Sequence, residues 1–304
     1  MRLFTLLPIL MIIPMQVFAQ PEHLRILHQA TMDRITEAAK RCPGVVGMAA
    51  IDLKGDDGFS LNDTLVFPQA SAIKVTLLME VYKQAHGGKF KLTDRVTINN
   101  AQTVEGGILN TFADGGSQIS IHDLCVLMVV LSDNSATNML IDKVGMSNVN
   151  ASLQALGFKA TRLQRKMMDI KASERGEENI STPLEAARLM RLLGSGEFVD
   201  RETSEAILFL LRLPRDVPGN IPAALPADLS VAFKKGEILP AVLTEWALVG
   251  LKGHPYVIVI MSNYGTETDS APAFREISKA VYDYYWRVAR SSPHGTYMDP
   301  SLWK

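Results

Sequence analysis

Apolar runs that are typical of buried strands occur near both ends of this chain. Val45 to Ile51 is the first run, and the turn-forming segment Lys54 to Gly58 leads into a second run, Phe59 to Phe67, so the two predict a hairpin. Three more strand-like runs follow one another near the other end of the chain, at 229–233, 244–249 and 256–261. We therefore expect the two ends of the chain to share one antiparallel sheet.

Helical periodicity dominates the segments around and between these strands. An amphipathic helix, Glu22 to Lys40, precedes the sheet, and a helix rich in tyrosine and tryptophan, 273–289, follows it. Ser120 with Asp123, and Thr182 with Pro183, mark the starts of two of the helices between the strand groups. The clearest helices there are 71–85, 120–132, 135–143 and 182–193.

These patterns predict an α/β fold, in which an antiparallel sheet flanked by N- and C-terminal helices is interrupted by an all-helical lobe. We expect the α/β lobe to comprise residues 20–69 and 216–291, and the helical lobe to comprise residues 70–215. Residues 292–304 are expected to form a loosely ordered tail. A cleft between two such lobes is a common place for a ligand site.

The first residues have the pattern of a targeting segment. Arg2 precedes an apolar run from Leu3 to Phe18, and Val17-Phe18-Ala19 provides a cleavage site, so residues 1–19 are expected to be a signal peptide cleaved near Ala19-Gln20. The run is short for a bilayer span and contains prolines, which argues against stable membrane insertion. We expect the mature protein to be periplasmic or secreted.

The numbers of charged, histidine and cysteine residues indicate which classes of partner and cofactor to expect. With 31 basic and 32 acidic side chains, no net positive field attracts nucleic acid, so a small-molecule partner is expected, and we expect a monomer. The six histidines show no metal-binding spacing, so neither a metal nor a cofactor is expected. Cys42 precedes a strand and Cys125 lies inside an apolar helix, which favours two buried thiols over a disulfide between them.

The tetrapeptide Ser71-Ala72-Ile73-Lys74 places a serine at the start of a helix and a lysine one turn later. Both side chains then share one helix face, so the lysine amine can reach the serine hydroxyl. Free backbone N–H groups at the helix start favour an oxyanion beside the serine. Alone, the same pattern also fits a capped surface helix.

Two further motifs carry polar residues next to apolar segments. Ser132-Asp133-Asn134 ends the most apolar helix of the chain, although a simple turn between helices fits as well. Lys234-Lys235-Gly236 places lysine at the end of an apolar strand, followed by a glycine that permits close backbone approach. An edge strand protected by charge is the alternative there.

Together, the three motifs match in order and spacing the Ser-x-x-Lys, Ser-Asp-Asn and Lys-Thr-Gly set of class A β-lactamases and penicillin-binding proteins. The chain resembles the class A β-lactamase family from its N-terminal helix to its C-terminal helix. This resemblance implies a β-lactamase/transpeptidase-like fold and a β-lactam or a cell-wall peptide as the partner.

The resemblance also implies a role for the residues of the first two motifs. Ser71 would attack a carbonyl carbon, neutral Lys74 could take its proton, and Ser132 would relay a proton to the leaving nitrogen. Whether lysine or another group takes the first proton stays open. Asn134 would bind the amide of the substrate's side chain. We therefore expect an acyl-enzyme on Ser71.

The third motif would form the opposite wall of the site. Lys234 would hold the substrate carboxylate or act electrostatically on Ser132. Gly236 would let the strand approach the nucleophile closely. The backbone N–H groups of Ser71 and Glu237 would form the oxyanion hole, which makes the site sensitive to backbone distortion.

Lys235 departs from the family pattern, because a threonine or serine normally follows the strand lysine. We favour a side chain that points outward. The alternative is that Lys235 contacts the substrate as a charge, which would suit a more anionic substrate.

A second departure concerns release of the acyl group. The family's deacylating glutamate lies in a loop after an Arg-Leu-x-Arg sequence, but here Arg162-Leu163-Gln164-Arg165 continues as Lys166-Met167-Met168-Asp169. Asp169 is the nearest substitute for the hydrolytic base, and the alternative is that it caps or pins the loop by hydrogen bonds. Weaker candidates for the base are Glu174, Glu177 and Glu178.

The closure of the same loop is also expected to differ from the family pattern. Asn179 occupies the position of the family's loop-closing aspartate, so we expect a hydrogen bond to Arg165 in place of an ion pair.

Three functions are therefore compatible with the sequence. The favoured one is a β-lactamase that opens the lactam amide through an acyl-Ser71 intermediate. The second is a D-Ala-type peptidase or an esterase of the same fold that β-lactams inhibit. The third is a sensor that becomes acylated and does not turn over.

Overall fold

The computed structural model describes residues 22–55, 57–112, 116–213, 219–292 and 294–297. The predicted signal peptide, residues 1–19, lies outside these ranges, as does most of the predicted tail. Among the described helices, none combines the length and apolar character needed to cross a bilayer.

Helices and strands occupy the following positions. The helices are α1 (Glu22–Lys40), α2 (Lys74–His86), α3 (Ile121–Val130), α4 (Asn134–Val144), α5 (Met146–Ala155), α6 (Ile170–Glu174), α7 (Pro183–Ser195), α8 (Arg201–Arg212), α9 (Asn220–Ala223) and α10 (Glu267–Val288), with 3₁₀ turns at Ala70–Ile73, Asn100–Gln102 and Leu109–Thr111. The strands are β1 (Val45–Asp52), β2 (Gly58–Leu61), β3 (Phe67–Pro68), β4 (Arg95–Thr97), β5 (Gln118–Ser120), β6 (Ile180–Ser181), β7 (Val231–Ile238), β8 (Val242–Val249), β9 (Tyr256–Asn263), β10 (Ser291–Ser292) and β11 (Gly295–Thr296).

Both ends of the chain contribute to one five-stranded antiparallel sheet with the strand order β2-β1-β9-β8-β7. β1 pairs with β2 in the predicted hairpin and with β9 from the other end of the chain, so that Val45 lies opposite Asn263. The predicted shared sheet is therefore confirmed. β7 forms one edge of this sheet, and it contacts α8 and the 3₁₀ turn Ala70–Ile73 in the helical part of the chain.

The second arm of the predicted hairpin is shorter than the apolar pattern indicated. β2 ends at Leu61 because Asn62 adopts a left-handed backbone conformation, with φ 49°, and its amide donates to the carbonyl of Val46. Phe67 and Pro68 form a separate strand, β3, which pairs with β6. Two short strand pairs thus replace one long arm.

The C-terminal strand prediction also needs a correction, because β7 does not end at Lys234. It continues to Ile238 and pairs with β8 along its whole length, with Lys235 opposite Glu245 and Glu237 opposite Leu243. The second half of this edge strand contains polar residues, so it does not form the apolar run by which we predicted strands.

The sheet separates two apolar cores. On one face, Trp246 and Val259 pack with the helical lobe, including Leu77 and Met128. On the other face, α1 and α10 cover residues such as Ile258. Cys125 belongs to the first core and Cys42 to the second, and both are buried free thiols.

The predicted helix starts are found with their caps. The Ser120 hydroxyl accepts a hydrogen bond from the Asp123 N–H, and the Thr182 hydroxyl accepts one from the Glu185 N–H. Helix α10 starts at Glu267, before the predicted position 273, because Thr266 caps it. After α10, the short strands β10 and β11 pair in antiparallel fashion.

Candidate active site

The nucleophile candidate lies on a tight turn that is fastened to the sheet. Ser71 is half-buried in the 3₁₀ turn Ala70–Ile73, and Ala70 before it has φ 46°. Gln69 is completely buried, its carbonyl accepts hydrogen bonds from the Ala72 N–H and the Thr244 hydroxyl, and its side-chain oxygen accepts one from the Trp246 indole. In the described part of the chain, the Ser71 hydroxyl has no hydrogen-bond partner, so it is available to a substrate.

Lys74 begins α2 directly behind this turn and is completely buried. Its amine lies 2.7 Å from the Ser132 carbonyl oxygen, 3.1 Å from the Ser132 hydroxyl and 2.9 Å from the Asn134 side-chain oxygen. Burial lowers the pKa of Lys74 well below its ordinary value, and the nearby Lys234 lowers this pKa further, whereas Asp133 opposes the shift. A neutral amine, which is able to accept a proton, is therefore favoured at this position.

The conformation of the segment Ser132-Asp133-Asn134 is stabilised by hydrogen bonds to the side chain of its central residue. Asp133 is completely buried, and its carboxylate accepts hydrogen bonds from the backbone N–H groups of Ile108, Leu109 and Ala136, at 2.7, 2.9 and 2.8 Å. The Ser132 backbone is left-handed, with φ 55°. The carboxylate thus fixes an unfavourable conformation that directs Ser132 and Asn134 to the cavity side.

A loop with two glycines covers this segment. The Asn134 amide donates to the Glu105 carbonyl at 2.9 Å, and a Cβ on Gly107 would lie only 2.2 Å from the Asp133 carboxylate. Gly107 also has a positive φ of 138°, which other residues rarely adopt. The Gly106-Gly107 pair therefore permits the loop to close against the segment.

β7 supplies the opposite wall. Lys234 is buried, and its amine lies 3.1 Å from the Ser132 hydroxyl. A Cβ on Gly236 would lie 2.4 Å from the Gln69 carbonyl and 2.8 Å from the Ser71 nitrogen. Only glycine permits the strand to approach the nucleophile this closely.

These elements enclose a cavity of about 440 Å³. Most of the predicted site residues line it together, while Lys74 lies buried behind Ser132, and Asp169 is not among the lining residues. The residues that line the cavity are Ser71, Gly106, Gly107, Val130, Leu131, Ser132, Asn134, Phe233, Lys234, Lys235, Gly236 and Glu237.

The family model described as "Beta-lactamase enzyme family" matches residues 30–285 of this chain. The chain belongs to the β-lactamase enzyme family. An imipenem-hydrolysing β-lactamase from Enterobacter cloacae is 23% identical over 254 residues, which are 82% of this chain and 86% of that protein. The structural neighbours described next have the same β-lactamase/transpeptidase-like fold.

A solved β-lactamase from Sphaerobacter thermophilus is 26% identical, with a TM-score of 0.75 over 86% of this chain and 97% of that chain. The structure of PBP-A is 25% identical, with a TM-score of 0.76 over 84% of this chain and 96% of that chain. A mutant of PBP-A was captured as an acyl-enzyme complex with penicillin G, and it has the same identity and TM-score. Class A β-lactamases and penicillin-binding-protein-like serine enzymes are thus both similar to this chain.

The side chain of Lys235 points in a different direction from the one we expected. Its side chain does not point outward into solvent, as we favoured, because two carboxylates hold it at the cavity wall. The amine lies 2.7 Å from Glu237 and 3.4 Å from Glu267, the first residue of α10. The side chain is consequently only 18% exposed.

Asp169 is exposed and caps α6. Its carboxylate accepts a hydrogen bond from the Ala172 N–H at 3.0 Å, which is the geometry expected of the capping alternative. Its role as hydrolytic base stays a prediction that the cavity geometry does not support. Of the weaker candidates, Glu174 and Glu177 are exposed, and Glu178 forms an ion pair, so the structure brings none of the four to the cavity.

The base of the loop is closed in an unexpected way. Asn179 is buried, and its side-chain oxygen accepts hydrogen bonds from the backbone N–H groups of Gln164 and Arg165. The Arg165 guanidinium instead pairs with Glu178 at 3.0 Å. The expected hydrogen bonding between Asn179 and Arg165 is present, through the backbone of Arg165, and the residue before Asn179 adds an ion pair with the Arg165 side chain that the sequence did not predict.

Sequence reasoning assigned no role to several residues that shape this site. Asp133 was visible inside its motif, and the Gly106-Gly107 pair was a visible turn signal. Gln69 had only a weak signal, a polar residue after the apolar pair Phe67-Pro68. Nothing in the sequence pattern pointed to Glu267, which is far from β7 along the chain.

Asp169 can be tested by two substitutions that separate its possible roles. Asn keeps a side-chain oxygen for the cap but cannot act as a carboxylate base. We expect Asp169→Asn to leave the lifetime of the acyl-enzyme unchanged, and Asp169→Ala to lower the free energy of unfolding by about 1 kcal/mol. Mass spectrometry and urea denaturation measure the two quantities. A longer-lived acyl-enzyme in the Asn variant would restore Asp169 as the base.

Proposed function

We propose that this protein is a serine hydrolase that forms an acyl-enzyme on Ser71 and opens the cyclic amide of β-lactams. The observation that carries the proposal is the hydrogen-bonded row Lys74–Ser132–Lys234, in which Ser132 and Lys234 line the same cavity as Ser71. Among the described residues, the Ser71 hydroxyl has no hydrogen-bond partner, so it is available to a substrate. Membership of the β-lactamase family and likeness to a protein captured with penicillin G support the same chemistry.

In the acylation step, the Ser71 oxygen attacks the lactam carbonyl carbon, and the Lys74 amine accepts the hydroxyl proton. The backbone N–H groups of Ser71 and Glu237 stabilise the oxyanion, which requires the close approach at Gly236. The C–N bond then breaks, and the Ser132 hydroxyl donates a proton to the leaving nitrogen. Lys74, 3.1 Å away, returns a proton to Ser132.

Release of the acyl group needs a base that activates water. The loop of residues 162–179 is fully described, and it contributes no carboxylate to the cavity. We therefore propose slow release. The same observation favours the second candidate, a D-Ala-type peptidase or an esterase that acts on a cell-wall peptide and is blocked by β-lactams.

The sequence of the first residues adds a location to this proposal. We propose that the protein is exported through its apolar segment Leu3 to Phe18, and that it acts as a monomer in the periplasm or outside the cell. β-Lactams and cell-wall peptides are both encountered there.

Intact-protein mass spectrometry after mixing with benzylpenicillin tests the proposal. We expect an increase by the mass of one penicillin, located on Ser71 by peptide mapping, that persists well after mixing, and we expect no adduct on Ser71→Ala. Rapid loss of the adduct with formation of penicilloate would indicate an efficient β-lactamase. A permanent adduct, together with no hydrolysis of D-Ala peptides or esters, would favour a sensor. If Ser71 acquires no adduct, the proposal is wrong.

A further inference from the structure

The charges along β7 change sign within four residues. Lys234 faces Ser132 at the inner end of the cavity, whereas Glu237 lies at the outer end and has an exposed carboxylate side chain. Among the described residues that line the cavity, Glu237 is the one carboxylate. The cavity wall therefore has a positive inner end and an acidic outer end.

Lys235 does not neutralise this outer end. Partial burial lowers the pKa of Lys235, but its hydrogen bonds to Glu237 and Glu267 and the attraction of their charges outweigh this effect and raise the pKa. The ammonium is thus shared between two carboxylates that are 42% and 45% exposed. One positive charge between two negative charges leaves the outer wall with an excess of negative charge.

A third carboxylate belongs to the neighbouring strand β8. Glu245 is opposite Lys235 on β8, is completely buried, and accepts hydrogen bonds from the backbone N–H groups of Asn220 and Ile221. Burial raises the pKa of Glu245, and the hydrogen bonds from Ile221 and Asn220, followed by the charge of Lys235, oppose this effect. Glu245 therefore adds no positive charge to the wall.

The direction of the substrate follows from the proposed acylation. Ser132 protonates the leaving nitrogen, so the leaving-group side lies at the inner end with Lys234. The acyl side then extends along β7 past Gly236 to Glu237. A substituent on the acyl side consequently meets the acidic outer wall.

We propose that Glu237 is a specificity-determining residue that selects acyl donors with a positively charged substituent on the acyl side and disfavours those with a negatively charged one. This inference rests on the proposed acylation of Ser71. The alternative, in which Lys235 attracts an anionic substituent, would require that substituent to displace Glu237 at 2.7 Å and to approach Glu267 as a like charge.

Three penicillins that share a phenylacetyl side chain test the proposal. Benzylpenicillin has no charge on this side chain, ampicillin has an ammonium group, and carbenicillin has a second carboxylate. The second-order rate constant of Ser71 acylation is measured for each at a pH at which the ampicillin amine is protonated. We expect ampicillin to react faster than benzylpenicillin and carbenicillin to react more slowly, with a ratio of roughly tenfold between the two charged compounds at low salt.

Substitutions and salt identify the source of the ratio. In Glu237→Gln, which keeps the backbone N–H, the ampicillin-to-carbenicillin ratio should fall to about one, and in Glu267→Gln it should fall partly. Glu276→Gln is the matched control, because Glu276 also lies on α10 but pairs with Arg41, the residue that follows α1. High salt should reduce the ratio in the parent protein and change it little in Glu237→Gln.

The outcomes separate this inference from the proposed function. If all three penicillins acylate Ser71 but the ratio is the same in Glu237→Gln as in the parent protein, the role of Glu237 is wrong and the acylation stands. A faster reaction with carbenicillin would support Lys235 as the receptor of an anion and overturn the proposal. If no penicillin forms an adduct, both proposals are wrong.

Discussion

Replacing Lys74 by methionine should slow the acylation of Ser71 by about 10²–10⁴-fold, the usual contribution of a general base. Methionine fills a similar volume in this completely buried position but cannot accept the hydroxyl proton. The measurement is the rate of adduct formation with benzylpenicillin, followed by mass spectrometry on a quenched time course. An unchanged rate would remove Lys74 from the proton transfer.

The pH dependence of acylation gives an independent check of this role. The neutral amine is the base, so the rate should fall as the pH drops through the pKa of Lys74, which lies well below its ordinary value. Lys234→Met removes a positive charge that lowers this pKa, so the acid limb should move to higher pH. Lys279→Met, on the surface of α10, is the control that should not move it. An acid limb at the same pH in Lys234→Met would contradict the assignment.

Gly236→Ala should lower the acylation rate by about 10²–10³-fold, the typical effect of losing an oxyanion-hole donor. The added Cβ would lie 2.4 Å from the Gln69 carbonyl and 2.5 Å from the Ala72 nitrogen, so the strand must move away from the nucleophile. Stopped-flow measurement with a chromogenic cephalosporin, or the adduct time course, gives the rate. Circular dichroism shows whether the fold is retained.

Gly87→Ala is the matched control for this substitution. Gly87 follows α2, has φ −73°, and a Cβ there would meet the Lys83 carbonyl at an ordinary contact distance of 3.4 Å. The same chemical change should therefore leave acylation unaffected. If Gly236→Ala acylates as fast as the control, the close approach of β7 to Ser71 is not needed for the reaction.

The sequence was sufficient to predict the parts of the site that depend on local pattern. Ser71 and Lys74 are one helical turn apart, so spacing indicated that the two side chains could meet, and the resemblance of the three motifs to the class A β-lactamase family then implied their chemistry. The shared sheet was also predictable, because buried strands have continuous apolar runs. A single sequence therefore predicts best how residues within the same helix or strand are placed relative to one another.

Contacts between distant segments could not be predicted in the same way. The environment of Lys235 depends on Glu267, which reaches the site only because α10 packs on the sheet. The pairing of Arg165 with Glu178 depends on the path of the loop, which the residue types alone leave open. The end of β7 was missed because polar residues at an edge strand do not produce an apolar run.

The pairing of β1 with β9 also determines when the protein can fold. Val45 can pair with Asn263 only after Asn263 has been synthesised, and Asn263 is more than two hundred positions later in the chain. At a synthesis rate of about 5–20 residues per second, β1 has no partner on one side for roughly 10 to 40 seconds. Such a nascent chain has an unpaired edge on an apolar strand throughout this interval, which makes it prone to aggregation until β9 has been made.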